Sequence, residues 1–164
     1  MSVLIDPYRF AVQSGVSMGA LSFWMDNGGA NSQAAVWRVD HSDDGTNWTD
    51  SGQSLTFPDT DQSSTTEEKQ SLGTAITDRH RYWRFEITTN NSNHTSGYIY
   101  EMSFYDADDV EIDLAGVGIT ITNPTADLTN FIAGQLVDDN DTTKGFRIEN
   151  NGSTGQQVVI DFGA

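Results

Sequence analysis

From Asp138 to Thr143 the chain reads Asp-Asp-Asn-Asp-Thr-Thr, a run in which every side chain carries oxygen. A hard cation such as calcium takes six to eight oxygens from carboxylates, carbonyls and hydroxyls, so this run suits cation chemistry. The same residues also suit an Asx-type turn with solvated carboxylates, and the residues alone leave both readings open. An EF-hand loop starting at Asp138 does not fit, because it needs glycine where Thr143 stands.

Catalytic chemistry finds little to work with. His41, His80 and His94 show no metal-ligand spacing, and the chain contains no cysteine. No serine sits in a nucleophile-elbow context, and no glycine-rich phosphate loop precedes a helix. The adjacent carboxylates Asp43-Asp44 and Glu67-Glu68 read as solvated surface pairs in so acidic a chain. A protein that is not an enzyme is expected.

The elements that must position these residues are strands. Thr, Ser, Asn, Asp and Gly are abundant, and they favour turns and caps over helix interiors. Apolar residues come in short runs with period-two alternation, the strand signature. Strands are expected over Ala20 to Met25, Ala35 to His41, Arg81 to Thr88, Tyr98 to Tyr105, Gly118 to Thr122 and Val158 to Phe162. Tyr98, Tyr100, Met102 and Phe104 share one face, and Trp24, Trp37 and Trp83 lie within strand runs and are expected in a core. Turn clusters separate the runs, at Asp26 to Gly29, Ser42 to Gly45, Asn90 to Asn93 and Asn150 to Ser153. The polar stretch from Pro58 to Gln70 reads as a long loop, and Asp106 to Asp113 as a charged seam able to form a hairpin turn. Many short strands with such punctuation imply an all-β sandwich or barrel.

Length and charge set the limits. The 164 residues fit a single domain over 1–164, enough to form a core without disulfides. With 24 acidic and 8 basic residues the net charge is −16. Such a surface repels phosphate backbones and anionic headgroups, which argues against nucleic acid and phosphatidylserine as partners. The acidity fits solubility in a salty environment, cation binding, or a basic protein partner. No stretch approaches the roughly 18 apolar residues of a membrane span, so no membrane insertion is expected. Asp6 and Arg9 interrupt Met1 to Phe10 where a secretory leader needs an apolar core, so no signal peptide is expected.

Val36 to Trp48 joins a strand to an Asp-Gly turn and then an aromatic, by itself a hairpin with Trp48 packing back on the sheet. Ser42, Asp44, Gly45 and Trp48, then Tyr82-Trp83-Arg84-Phe85, then Glu101-Met-Ser-Phe-Tyr105, follow one another in the order of a known pattern. They resemble the discoidin family, the coagulation-factor C-type or galactose-binding-like jelly rolls. The family's opening elements look to lie at the other end, as Leu136 to Thr143 and then Val158-Val-Ile-Asp-Phe-Gly163. Asp139 stands where the family has glycine, and Gly145 falls near its usual tryptophan. The resemblance therefore implies a jelly-roll β-sandwich that is circularly permuted, or strand-swapped between subunits, with residues 115–164 supplying the family's N-terminal elements.

The resemblance also implies a structural calcium ion (Ca2+). In the family a cation sits in the matching turn and a glutamate of the last strand caps it, which carries over to Asp138, Asn140, Thr143 and Glu101. It further implies carbohydrate binding at loops on one end of the sandwich, with Trp48, Asn91, Asn93 and His94 as the ligand-binding candidates. Those Asn-rich segments read equally as plain turns. A last resemblance concerns context: Val3-Leu-Ile-Asp-Pro-Tyr-Arg-Phe10 looks like the start of many tailed-bacteriophage virion proteins. The combined expectation is a bacteriophage virion structural or accessory protein, on head, neck, tail or fibre, serving assembly or adhesion to host-surface glycans. It would be made in the host cytoplasm, sit on the virion surface and be extracellular after lysis. Its partners would be other virion proteins, copies of itself in a homo-oligomer, and cell-surface carbohydrate. A free-standing bacterial carbohydrate-binding module is the alternative.

Overall fold

A computed structural model describes residues 15–26, 35–57, 66–90, 97–114, 120–122, 146–148, 155 and 157–163. The alternating runs form the strands β1 (Val16–Asp26), β2 (Ala35–Ser42), β5 (Tyr82–Asn90), β6 (Gly97–Tyr105) and β9 (Gln157–Asp161). Further strands are β3 (Thr49–Phe57), β4 (Thr66–His80), β7 (Thr120–Thr122) and β8 (Phe146–Ile148). One sheet has the order β4-β1-β6-β8 and the other β3-β2-β5-β9-β7, with antiparallel pairing in both. The fold is an all-β sandwich, and no helix occurs among the described residues.

The two-residue side-chain period builds the core. Trp37 and Val39 of β2 point inward while Arg38 and Asp40 point out, and Trp83, Phe85 and Ile87 of β5 do the same against Arg84 and Glu86. Val158 and Ile160 of β9 and Leu55 of β3 complete this layer. Met18, Leu21, Leu72, Met102 and Phe104 face them from the other sheet. Each large apolar side chain buried this way contributes about 1.5–3 kcal/mol. Phe104 is the hinge of the packing: its ring meets Phe85 at 5.8 Å and Phe162 edge-on at 5.7 Å.

The stretch 58–70, expected as a loop, is corrected at its end, because β4 already runs from Thr66. β4 and β3 are both edge strands, and neither shows clean alternation in sequence. Leu72 of β4 and Leu55 of β3 are their buried apolar residues, while most of their other described side chains stand in water. An edge strand needs few inward groups, and polar side chains protect its open side from pairing with another chain. The Asp106 seam is a turn. Asp106 Oδ1 accepts from the N–H groups of Asp108 and Val110, both at 2.9 Å, and Asp109 takes a left-handed φ of 65°. Lys69 fastens that turn to β4, with Nζ 2.7 Å from Asp109 and 3.4 Å above the Tyr105 ring.

One corner organises the rest. The chain leaves β4 in one sheet and enters β5 in the other through Arg81 alone. Gly15, just before β1, packs on this corner, its carbonyl accepting from Arg79 Nε at 2.7 Å. Phe162, just after β9, also meets it, donating its N–H to the Arg81 carbonyl at 2.9 Å. Residues 15 and 162 thus flank the same short segment, and β9 lies inside its sheet between β5 and β7.

Candidate functional site

The segment from Ser42 to Trp48 links β2 to β3 and is held by its own side chains. Ser42 Oγ accepts from the N–H of Gly45 at 3.0 Å and donates to Asp44 Oδ1 at 3.0 Å. Asp44 Oδ1 accepts from the N–H groups of Thr46 and Asn47, at 2.8 and 2.7 Å, and Oδ2 accepts from Asn47 Nδ2 at 2.6 Å. The Asn47 N–H groups, backbone first, together with the Thr46 N–H hold the Asp44 carboxyl well below the usual carboxylate range. Gly45 sits at φ +71°, and a Cβ there would lie 3.2 Å from the Tyr82 ring. This geometry explains why Ser, Asp and Gly stand at these positions.

Beside the turn, the two sheets meet through a pair of histidines. His41 near the end of β2 and His80 at the end of β4 stack with ring centroids 3.7 Å apart and planes 19° from parallel. Trp83 lies at 5.8 Å from each ring and donates its Nε1–H to the His80 carbonyl at 3.1 Å. His80 Nδ1 is 3.0 Å from Asp43 Oδ1, whose side chain is 77% exposed. Burial, and then the nearby His80, push the His41 imidazole below its ordinary value, opposed by Asp43, Asp40 and Asp78. Between the pair and the turn opens a hollow of about 220 Å³, lined by His41, Asp43, Asp44, Asn47, Thr49 and His80.

Behind the turn, a polar network covers the outer face of the five-stranded sheet. Asp40 is fully buried there, and its Oδ2 accepts from Arg84 Nε and Nη2 at 2.8 and 2.5 Å and from Arg38 Nη2 at 3.0 Å. Asp40 Oδ1 lies 3.0 Å from Arg38 Nε, an ion-pair contact outside hydrogen-bond alignment. Arg38 also donates to Glu86 at 2.9 Å, and Gln157 of β9 reaches the same carboxylate at 3.1 Å. The Arg84 guanidinium lies 4.5 Å from the Trp48 ring centre, so Trp48 does pack back on the sheet.

Of the residues singled out in sequence, Trp48 follows Asn47 in the chain but does not line the hollow, and its ring packs against the Arg84 guanidinium. Asn91, Asn93 and His94 lie outside the described residues, as do Asp138, Asn140 and Thr143. Glu101 is described: it belongs to β6, opposite Trp24 of β1, and is 7% exposed. No three His, Asp or Glu side chains gather as a metal centre among the described residues.

The His41–His80 pair is the feature that sequence spacing does not reveal, since 38 residues separate the two in the chain. One local signal existed. His41 continues the inward phase of Trp37 and Val39, a polar ring in an apolar register at the strand's end. A scan against protein-family models and searches of curated proteins and of solved structures give no match to this chain.

Proposed function

We propose that the chain is a non-catalytic virion component, on head, neck, tail or fibre, whose sandwich adheres to host-surface glycans. The observation that carries this reading is the hollow beside the β2–β3 turn. It sits at the rim of a packed sandwich and offers imidazole nitrogens, the exposed Asp43 carboxylate and Asn47. Sugar hydroxyls both donate and accept, and a few convergent polar groups on a rigid frame are what orient them. The lining carries carboxylates and imidazoles but neither Lys nor Arg, which favours a neutral glycan over an acidic one.

The finer fold belongs to the same proposal: a discoidin-like, galactose-binding-like jelly roll, circularly permuted or completed by exchange between subunits of a homo-oligomer. The approach of residues 15 and 162 to one corner supports permutation, because the unpermuted family order needs β9 to connect to β1, and the two strands come together there. A structural calcium ion held by Asp138, Asn140, Thr143 and Glu101, as the family resemblance implies, belongs to the same proposal.

A glycan array probed with the full chain and with a D43A/N47A double variant tests adhesion. Binding of neutral glycans by the wild type, lost in the double variant, is expected. Equal binding by both moves the site elsewhere, and no binding at all removes the adhesive role. Co-sedimentation with phage particles tests the virion assignment separately.

A further inference from the structure

His41 and His80 belong to different sheets, so their stack ties the β2–β3 turn to the corner between β4 and β5. Two imidazoles 3.7 Å apart tolerate one positive charge between them and repel when each carries one. The groups facing the pair can be named element by element. β2 contributes Asp40, already committed to Arg38 and Arg84, and the turn contributes Asp43, which lies against His80 Nδ1. β4 contributes Asp78, along with Arg79, whose Nε is spent on the Gly15 carbonyl. Arg81 at the corner is paired with Asp161, and β5 contributes the uncharged Trp83. The nearest carboxylate able to follow a proton is therefore Asp43, and it is placed on His80 rather than on His41.

We propose that the His41–His80 stack is an acid-operated latch: a positive charge on both rings drives them apart, reshapes the hollow and releases the β4–β5 corner from the turn. The device goes beyond glycan adhesion and stands whether or not a glycan binds. Its mechanical path is short. His80 carries the carbonyl that receives the Trp83 indole N–H, and the next residue, Arg81, carries the carbonyl that receives the Phe162 N–H. Movement of His80 is thus read out at both bonds.

The test is a titration of the full chain by NMR from about pH 8 to about pH 5, the range in which histidine changes charge. His41 is expected to titrate below the ordinary histidine value of about 6.5. At that same midpoint the Trp83 indole N–H resonance shifts and the Phe162 amide loses protection from exchange. The H41F variant keeps a stacked ring without a proton to accept, and it is expected to abolish the acid-linked changes at Trp83 and Phe162. His41 titrating at or above the ordinary value, or Trp83 and Phe162 unmoved across its titration, overturns the latch. Should H41F fail to fold, the wild-type titration decides alone. No glycan is present in this experiment, so its result is independent of adhesion.

Discussion

Arg81 and Asp161 form a forked ion pair, Nε to Oδ1 at 2.7 Å and Nη2 to Oδ2 at 2.8 Å, that fastens β9 to the single-residue corner between the sheets. The fork matches the planar guanidinium to the carboxylate, and the N–H of Gly163 adds a third bond to Oδ1 at 2.8 Å. The same corner holds the stacked histidines and Gly15, so three contacts of distant sequence origin depend on its backbone.

The first prediction concerns acid. The Arg81 guanidinium, helped by the Gly163 N–H, holds the Asp161 carboxyl below the usual carboxylate range. Its folded value lies below its unfolded one, so the stabilisation is fully present above about pH 4 and is lost as pH falls through the folded value. Asp44, lowered by its turn, acts in the same window. D161N is expected to lower the thermal midpoint at neutral pH and to flatten its decline below about pH 4. A thermal series against pH checks this, and a decline as steep as the wild type's counts against the fork. The His41 contribution occupies a separate window. Its folded value is also lowered, so its stabilisation is present at neutral pH and is lost as pH falls from about 6.5 toward the folded value.

Asp40 carries the second. Removing one partner from a buried charge cluster costs about 3–5 kcal/mol, because the remaining charges stay uncompensated. Arg38 keeps 36% of its side chain in water and also reaches Glu86, so part of the loss is recovered. D40N is therefore expected to lose about 3 kcal/mol in urea unfolding, the low end of that range. A loss under about 1 kcal/mol would mark the cluster as a surface pair.

Gly15 gives the third. It sits at φ +103°, and a Cβ there would stand 2.3 Å from the carbonyl carbon and oxygen of His80. Backbone atoms cannot step aside as a side-chain tip does, so the corner itself must shift. G15A is expected to cost about 2–3 kcal/mol. A neutral substitution would mean that this close approach is absent in solution.

Legibility in the sequence followed burial. Trp37, Val39, Trp83, Phe85, Met102, Phe104, Val158 and Ile160 lie on strands that were readable because one face of each is apolar and the other polar. β3 and β4 were missed because an edge strand rests its inner face on one or two apolar groups, here Leu55 and Leu72, and leaves its other side to water. The Ser42 to Trp48 turn was readable from side chains that bond their own backbone, as Asp44 does. The stacked histidines were not, since pairing between strands of different sheets depends on which end of the sandwich each strand finishes, and no local spacing encodes that. His41 lying in phase with Trp37 and Val39 was the one available hint.

The last prediction isolates the proposed cation. Glu101 lies within β6, one residue before the core residue Met102, and is itself only 7% exposed. A structural calcium at Asp138, Asn140 and Thr143 that also takes Glu101 would tie the segment around residue 140 to β6. Binding only to the folded state at saturating metal adds about 3–4 kcal/mol. Chelation is therefore expected to lower the thermal midpoint of the wild type, and readdition of calcium to restore it. E101Q keeps the shape and removes the charge, so its midpoint is expected to respond weakly to chelator. A wild-type midpoint indifferent to chelator removes the ion. A chelator response undiminished in E101Q keeps the ion but takes Glu101 out of its shell, leaving the carboxylate with a purely protein-bonded role in β6.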